Sequence, residues 1–396
     1  MPRTPVAEHE ARVRALLGGL SVRSSDVVPL ADALGRVTAS DVVSPIPLPP
    51  FRNSQMDGFA VRASDVVAAP VDLPLVGEIA AAPGTPAPLL AGTVVRIMTG
   101  APVPEGADAV VPVEDTQVSG STVSIARGRV SGEYVREVGS DLLAGAVLVA
   151  SGVRLASRHL GALAASGLTS VTVTSQVRVA VISTGSELVG AGEPLGPGQI
   201  PDANGVALAA AVRAVGAVVV VEGRVTDVAE RFRAVLDAAI DAGAELVLTS
   251  GGISEGEYEV VRETLEPLGA HVDVLAMQPG GPQATATYRG VPVVCFPGNP
   301  VSSQLSFLIF VEPVLRSLAG LAPAVRTTGV LDRALTSPPD RRQFLRGVRR
   351  PDGRVAPLGG SSSHLVAMLA ASDALLVIPE NVTSLDAGAA VEVWDL

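Results

Sequence analysis

Apolar and polar positions follow three different rhythms along this chain, and the changes of rhythm mark its parts. Over residues 7–20, Val13, Leu16, Leu17 and Leu20 share one side of a helix. Residues 27–43 read as a further short helix around Leu30 and Leu34. It is closed by Ser44-Pro45-Ile46-Pro47-Leu48-Pro49-Pro50, which cannot continue a helix and reads as an extended linker. From there to about Val138 the rhythm is that of short strands, at 75–76, 94–98, 109–113 and 123–126, with turn signals such as Asp57-Gly58 between them. Residues 158–168 return to helical spacing, and β character resumes at Val171, Val173 and Val177. Packing of the two helical stretches against each other would make the β stretch an insertion in a discontinuous helical domain.

From Val177 strands and helices alternate. Strands are expected at 177–182, 218–221, 245–248 and 291–296, and helices at 206–215, 228–240, 259–265 and 301–318. This order predicts a doubly wound parallel sheet with helices on both faces. After Gly320 the β rhythm returns at 344–346, 374–378 and 391–394. The predicted fold is multidomain α/β plus all-β. Residues 1–44 with 139–176 would form a helical linker domain, 45–138 an inserted β domain, 177–320 the central α/β domain and 321–396 a C-terminal β domain.

Composition narrows the function. Hydrophobic residues make up 47% and charged residues 17%, enough apolar material for several cores. The formal net charge of −11 argues against a general nucleic-acid surface or an anionic membrane surface, so neither partner is expected. Cys295 is the single cysteine, which excludes an internal disulfide and a cysteine-based metal cluster; His9, His159, His271 and His364 show no ligand spacing. No signal-peptide pattern is present, and no continuous apolar run reaches roughly 18 residues, so a soluble cytoplasmic protein is expected. All 29 basic residues are arginine.

Three predicted strands end in small polar turns: Ser183-Thr184-Gly185-Ser186-Glu187, Thr249-Ser250-Gly251-Gly252-Ile253-Ser254 and Pro297-Gly298-Asn299-Pro300. In an open parallel sheet these ends share one edge, where ligands bind as the strand order reverses. In the third turn Asn299 can cap and Pro300 can begin the following helix, so free N–H groups and the positive end of the helix dipole would face an anion. The same geometry occurs at ordinary helix starts, so this segment alone is equally a plain connection. Glu187, Asp202, Asp227, Glu257 and Glu259 crowd that edge. Carboxylates next to phosphate-binding amides point to a divalent metal or to acid–base work; Asp227 is equally readable as a helix cap. Asp57 and Asp141 lie in loops of other domains, where turn formation alone accounts for them. No Ser-His-Asp, P-loop or zinc motif is present.

Taken together, the motifs resemble those of the molybdenum insertase family, which comprises bacterial molybdopterin molybdenumtransferase and the E domain of its plant and animal counterparts. The resemblance spans essentially the whole chain. It is carried by Asn53 to Val61, by Thr99-Gly100-Ala101-Pro102-Val103-Pro104-Glu105-Gly106-Ala107-Asp108-Ala109-Val110, by Ser183 to Leu188, by Ser250-Gly251-Gly252-Ile253-Ser254 and by Pro297 to Ser302. It implies that the central domain binds molybdopterin and that the protein is an elongated homodimer, with Asp57 and Thr99 reaching the site across the dimer. The implied reaction takes adenylylated molybdopterin and molybdate and hydrolyses the phosphoanhydride with a divalent metal such as Mg2+. AMP is released and molybdenum stays on the dithiolene. A molybdopterin adenylyltransferase is the implied partner upstream. The resemblance assigns catalysis to Asp57, Asp141, Glu187, Asp227 and Glu259. It assigns binding to Thr99, Thr184, Gly185, Asp202, Asn204, Ser250, Gly251, Gly252, Ser254, Gln278, Pro297, Gly298, Asn299, Ser302 and Ser363, with Arg346 as an anion contact. It names no metal ligand.

The chain departs from the family pattern at several positions. Met-Lys-Pro-Gly-Lys-Pro of the family stands here as Met277-Gln278-Pro279-Gly280-Gly281-Pro282, without either lysine. Ser186 and Ser140 replace acidic residues, Glu259 replaces an aspartate, and Arg289 is a candidate substitute cation. Two further readings follow from these departures: a catalytically weakened paralogue that carries or docks molybdopterin or the finished cofactor, and a pterin- or nucleotide-phosphate enzyme with a different substrate.

Overall fold

A computed structural model describes residues 3–253 and 259–396. The chain forms two compact units: Val27–Val173 is one, and the chain before Val27 joins residues 174–396 in the other.

The Val27–Val173 unit is built on a six-stranded sheet in the order Ala109–Pro112, Gly58–Val61, Val94–Ile97, Val71–Ile79, Thr122–Ile125, Thr116–Ser119. Alternation along the strands sorts its side chains to two faces. Phe59, Val61, Val94 and Val111 enter one core, and Ala60, Val95, Ile97 and Val110 the other. A separate small core of Ala33, Val149, Leu155, Leu163, Val171 and Val173 gathers around the helix Ser157–Ala165. Residues 27–43 depart from the sequence expectation. They form the end of the strand Ser25–Pro29, the single 3-10 turn Leu30–Asp32 and the strand Val42–Val43. The β-branched pairs Val27-Val28 and Val42-Val43 favour extended backbone, and Pro29 ends the first strand, so apolar spacing alone misled.

In the other unit a six-stranded sheet runs in the order Val218–Val225, Arg178–Thr184, Leu246–Ser250, Val291–Phe296, Pro282–Tyr288, His271–Val274. The first four strands are parallel, and an antiparallel pair completes the edge. Continuous apolar strands suit a sheet covered on both faces. Val179 and Val181 face the helix Ala203–Ala214 through Leu208 and Val212. Ala180 and Ile182 face the helix Ala229–Asp241 through Phe232 and Leu236.

The helix Pro300–Leu318 is long and apolar enough by composition to cross a membrane, yet Val301, Leu305, Phe307, Phe310 and Leu315 are buried in the first of these cores. Its middle, Phe307–Val311, is a π-helical segment that ends two residues before Pro313. Pro313 has no N–H to return to the preceding turn, and the widened turn absorbs that loss. The helix Val6–Leu16 packs there too. His9 is fully buried edge-on to Phe310 and bonded to Asp273, which also receives Thr4 and Arg12. The chain ends in a sheet in which Arg342–Arg349, Arg354–Pro357, Arg326–Leu331, Ala390–Asp395 and Ala374–Ile378 close on themselves, with Met277–Gln278 added along Arg342–Arg349.

Candidate functional site

The order of the parallel strands reverses direction at Arg178–Thr184, because the chain goes first to one neighbour, Val218–Val225, and then to the other, Leu246–Ser250. Such a switch point opens a crevice at the carboxyl ends of the strands. The turns leaving those ends are drawn together there. Gly251 donates its N–H to the Phe296 carbonyl (3.0 Å), and Thr184 Oγ1 donates to the Ser250 carbonyl (3.3 Å). Gly251 has φ +93°, and a Cβ on it would stand 2.5 Å from the Thr184 carbonyl oxygen. Only glycine satisfies both conditions.

The helix Ala203–Ala214 forms the next part of the wall. Asp202 is its cap: Oδ1 accepts the Gly205 N–H (2.9 Å) and the Ser183 hydroxyl (3.0 Å). Asn204 Nδ2 donates to the Gly298 carbonyl (2.7 Å), tying this helix start to the third turn. Asp227 is not a helix cap, which corrects one of its two sequence readings. The cap position belongs to Val228, and Asp227 Oδ2 instead accepts the Ser186 N–H (2.9 Å), while the Asp227 N–H donates to Ser186 Oγ (3.2 Å). Ser186 thus latches the first turn to the end of the neighbouring strand. Asn299 holds the cap position of its helix without using its side chain. The first available N–H of that helix, on Val301, is taken by the Ser363 carbonyl (3.0 Å). The anion-friendly helix start expected from sequence is therefore partly closed by the protein itself.

The opposite wall is the segment around Met277–Gln278 and the serine-rich loop 361–364. Gln278 Oε1 accepts from Gln343 Nε2 (2.8 Å), leaving its own NH2 as the donor. Arg346, only 2% exposed, lies behind the serine loop and not among the lining residues. Its guanidinium donates to the carbonyls of Ser362 (3.0 Å) and Gly360. Burial pulls its pKa below the usual arginine range. The anion contact expected of it is instead support of the loop that bears Ser363.

These walls enclose a cavity of about 1000 Å³. It brings together Thr184, Gly185, Glu187, Asp202, Asn204, Asp227, Gly251, Gly252, Glu259, Gln278, Pro297, Gly298, Asn299, Ser302 and Ser363. Ser250 is buried and joins Ser183 (3.4 Å between hydroxyls) rather than lining the cavity, while Ser254 and Glu257 lie outside the described residues. Arg289 does not substitute for the missing lysines, since it pairs with Asp237 (3.0 Å) and Asp241 (2.9 Å). The cations that do line the cavity, Arg3 and Arg341, were not identified from sequence. No sequence signal marks them, because the pairings of Thr4 with Leu275 and of Arg342 with Met277, which bring them here, exist only in the fold. Among the described residues, no three His, Cys, Asp or Glu side chains are gathered as a ready metal site.

Asp57, Thr99 and Asp141 belong to the Val27–Val173 unit. There Asp57 Oδ1 accepts both the N–H (2.6 Å) and the hydroxyl (2.8 Å) of Thr99. These two bonds hold the exposed Asp57 carboxyl below the ordinary aspartate range, so it is a preset acceptor. Asp141 is exposed in a turn, with its N–H on the Leu48 carbonyl (2.9 Å).

Comparison with known proteins covers nearly the full length. The family profile described as "MoeA N-terminal region (domain I and II)" matches residues 4–167, "Probable molybdopterin binding domain" matches 180–317, and "MoeA C-terminal region (domain IV)" matches 328–396. Molybdopterin molybdenumtransferase 2 of Mycobacterium tuberculosis (strain ATCC 25618 / H37Rv) is 44% identical over 384 residues, 93% of this chain and 94% of that protein. The Nostoc molybdopterin molybdenumtransferase is 37% identical over 392 residues, 95% of this chain and 90% of that protein. Among solved structures, the molybdopterin biosynthesis moea protein from Pyrococcus horikosii superposes with a TM-score of 0.82 at 33% identity, covering 100% of this chain and 99% of that one.

Proposed function

This chain belongs to the MoeA family of molybdopterin molybdenumtransferases, and from that premise we propose that it inserts molybdate into adenylylated molybdopterin and releases AMP. The observation that carries the proposal is the cavity at the strand switch point. A volume of about 1000 Å³ accommodates a pterin dinucleotide. Amide, hydroxyl and backbone groups suit the pterin edge and the phosphates, while Glu187 and Asp227 stand beside the first turn, where the anhydride would be cleaved. Water attacks the adenylyl phosphorus, the P–O bond of the anhydride breaks, and AMP leaves the pterin phosphate. Asp227, fixed by Ser186, is the group proposed to orient that water and take its proton.

The residues fit a magnesium ion only in the form in which it accompanies phosphates, since such an ion needs one or two protein carboxylates and no preassembled cage. Glu187 and Asp227 would supply them, and the ion would neutralise the charge that develops on the anhydride. We propose a cytoplasmic homodimer in which Asp57 and Thr99 of one subunit complete the cavity of the other, and which receives its pterin from a molybdopterin adenylyltransferase. Asp57 is exposed and takes both Thr99 donors on Oδ1, so its other carboxylate oxygen is available to a substrate, which supports this role. The carrier reading has no observation in its favour, because Gln278 and Gly281 leave the cavity walls intact and two arginines face the same space.

The test is reconstitution. Purified protein, adenylylated molybdopterin, molybdate and magnesium chloride are incubated, AMP is measured by chromatography, and the finished cofactor by activation of a cofactor-free molybdoenzyme. AMP release with cofactor formation is expected. Tight pterin binding without AMP would overturn the enzyme reading in favour of the carrier.

A further inference from the structure

The helix Pro300–Leu318 begins at the cavity, where Pro300 and Ser302 line it, and its later turns reach a second concavity of about 560 Å³. The two spaces share no lining residue. The second one opens where the core around this helix comes to the surface. Leu305 and Phe307 are buried members of that core, and Leu308 and Leu369 are only partly buried against it. Val366, at the start of the short helix Val366–Ala370, is exposed beside them. The π-helical segment sets the chemistry of this place. Glu312 donates its N–H five residues back, to the Phe307 carbonyl, so the widened turn brings its carboxylate alongside Phe307 and Leu308 at the wall of the concavity. Widened turns of this kind recur at functional sites.

The Glu312 side chain is only 17% exposed. Its Oε1 accepts from Arg316 Nη1 (3.2 Å), and Arg316 Nε is held in turn by the Ala322 carbonyl (2.9 Å). Among the described residues Glu312 Oε2 has no partner. Burial pushes the carboxyl above the ordinary glutamate range, and Arg316, pulling the other way, does not cancel it. A half-buried carboxylate in this condition gains from a second, cationic donor. Asp395 adds a carboxylate on the exposed side, held by Arg349 from outside the concavity. Two acids and one guanidinium thus line a space whose remaining walls are mostly apolar. Its volume is that of a pocket for a small organic molecule.

We propose that this concavity binds a small organic cation, an amine whose aromatic or branched apolar body lies against Phe307, Leu308 and Leu369 and whose ammonium group meets Glu312 Oε2. Charge selects it. An anion would have to approach Glu312 and Asp395, and a neutral apolar molecule would strip water from Oε2 and leave it without a donor. Arg316 is a positioning residue: it fixes Glu312 through one oxygen and leaves the other to the ligand. The proposal goes beyond the transferase reading and does not rest on it, since it uses none of the residues that line the strand-end cavity.

The experiment is calorimetric titration of the full-length protein with three indoles of similar size and different charge: tryptamine, neutral tryptophol and anionic indole-3-propionate. Wild type should bind tryptamine tightest and indole-3-propionate weakest. Glu312→Gln keeps an acceptor for Arg316 Nη1 and removes the charge. It should weaken tryptamine about ten-fold or more, the strength of one charge-assisted hydrogen bond, and leave tryptophol unchanged. Ala370→Trp changes no charge and fills the exposed side of the concavity, so it should remove binding of all three and serves where Glu312→Gln fails to fold. Melting temperatures and AMP release of both variants should match wild type, because neither residue lines the strand-end cavity. No tryptamine binding by wild type, tryptophol bound as tightly as tryptamine, or full tryptamine affinity in either variant overturns the proposal. Sedimentation of wild type and Ala370→Trp covers the other occupant. Loss of a dimer in the variant, with no amine bound by wild type, would assign the concavity to a second copy of the chain and overturn the proposal as well.

Discussion

Gly251→Ala is the most direct probe of how the strand ends are held together. Two effects add. The residue stands at φ +93°, where an L side chain costs about 1–2 kcal/mol. The new Cβ would also stand 2.5 Å from the Thr184 carbonyl oxygen and 2.8 Å from Thr184 Oγ1. The hydroxyl can swing aside, but the carbonyl belongs to a residue paired with Val225 in the sheet. Relief therefore requires the first and second turns to part, an overpacking cost of about 1–3 kcal/mol. The sum is about 2–5 kcal/mol, enough to lower Tm by at least about 4 °C in a unit of this size. Gly298→Ala is the matched control. Its Cβ would meet the Gly251 Cα at 3.4 Å, an ordinary contact, and Gly298 has no left-handed φ. A backbone-compatible alanine is expected to be neutral or stabilising by up to about 1 kcal/mol. Scanning calorimetry of both variants and wild type decides the matter. Equal melting of the two variants, or Gly251→Ala melting with wild type, would refute the close approach of the turns.

Two further outcomes are expected. Asp227→Asn keeps an acceptor for the Ser186 N–H and should leave Tm close to wild type, while AMP release falls by about 100-fold or more; Ser186→Ala removes only the 3.2 Å bond to the Asp227 N–H and should cost about 0.5–1.5 kcal/mol of stability. Acid should weaken the Val6–Leu16 docking in two stages. Burial holds the His9 pKa below 6.5, so the unfolded chain takes up a proton that the folded one refuses; this contribution is complete above pH 6.5 and declines as pH falls through that value. For Asp273, burial opposes but is outweighed by the hydrogen bonds from Thr4 and His9 and the charge of Arg12. The net pKa lies below 3.8, and a second loss follows as pH drops beneath about that value. Melting of wild type and His9→Gln from pH 8 to pH 5 tests the first stage, and an unchanged slope in the variant would count against it.

The α/β unit was largely legible because its signals are local. Apolar runs such as 291–296 and the turns after them fix strand ends, and strand ends fix the edge that carries a ligand. Residues 27–43 were not legible, because Leu30 and Leu34 have helical spacing while Val27, Val28, Val42 and Val43 decide the backbone. The antiparallel edge was missed for a similar reason: a hairpin of Pro282–Tyr288 and Val291–Phe296 turns on Arg289-Gly290, a weak signal beside the Pro-Gly turns. Site residues followed the same division. Glycines and carboxylates at strand ends could be placed from their position in the chain. The side-chain partners of Asp227, Arg346 and Arg289 could not, since Ser186, the serine loop and Asp237 are brought to them only by the tertiary fold.

The distribution of charge within the cavity bears on what kind of ligand it receives. Glu187, Asp202, Asp227 and Glu259 line the side near the strand ends, whereas Arg3 and Arg341 line the side near Gln278. Asp202 is committed to Gly205 and Ser183. Two unit charges 4 Å apart interact by about 4 kcal/mol at an effective dielectric of 20, so a bare phosphoanhydride would be repelled from the acidic side and drawn to the other. A substrate that spans both must therefore present unlike ends. The arginine side suits an oxyanion that meets guanidinium directly, and a phosphate reaching Glu187 and Asp227 would need its charge already compensated. A chain with arginine as its only strong base and with glutamine and glycine at the bend of the far wall can still meet this requirement. The positive charge is supplied by residues one position before those that pair with the bend rather than by the bend itself.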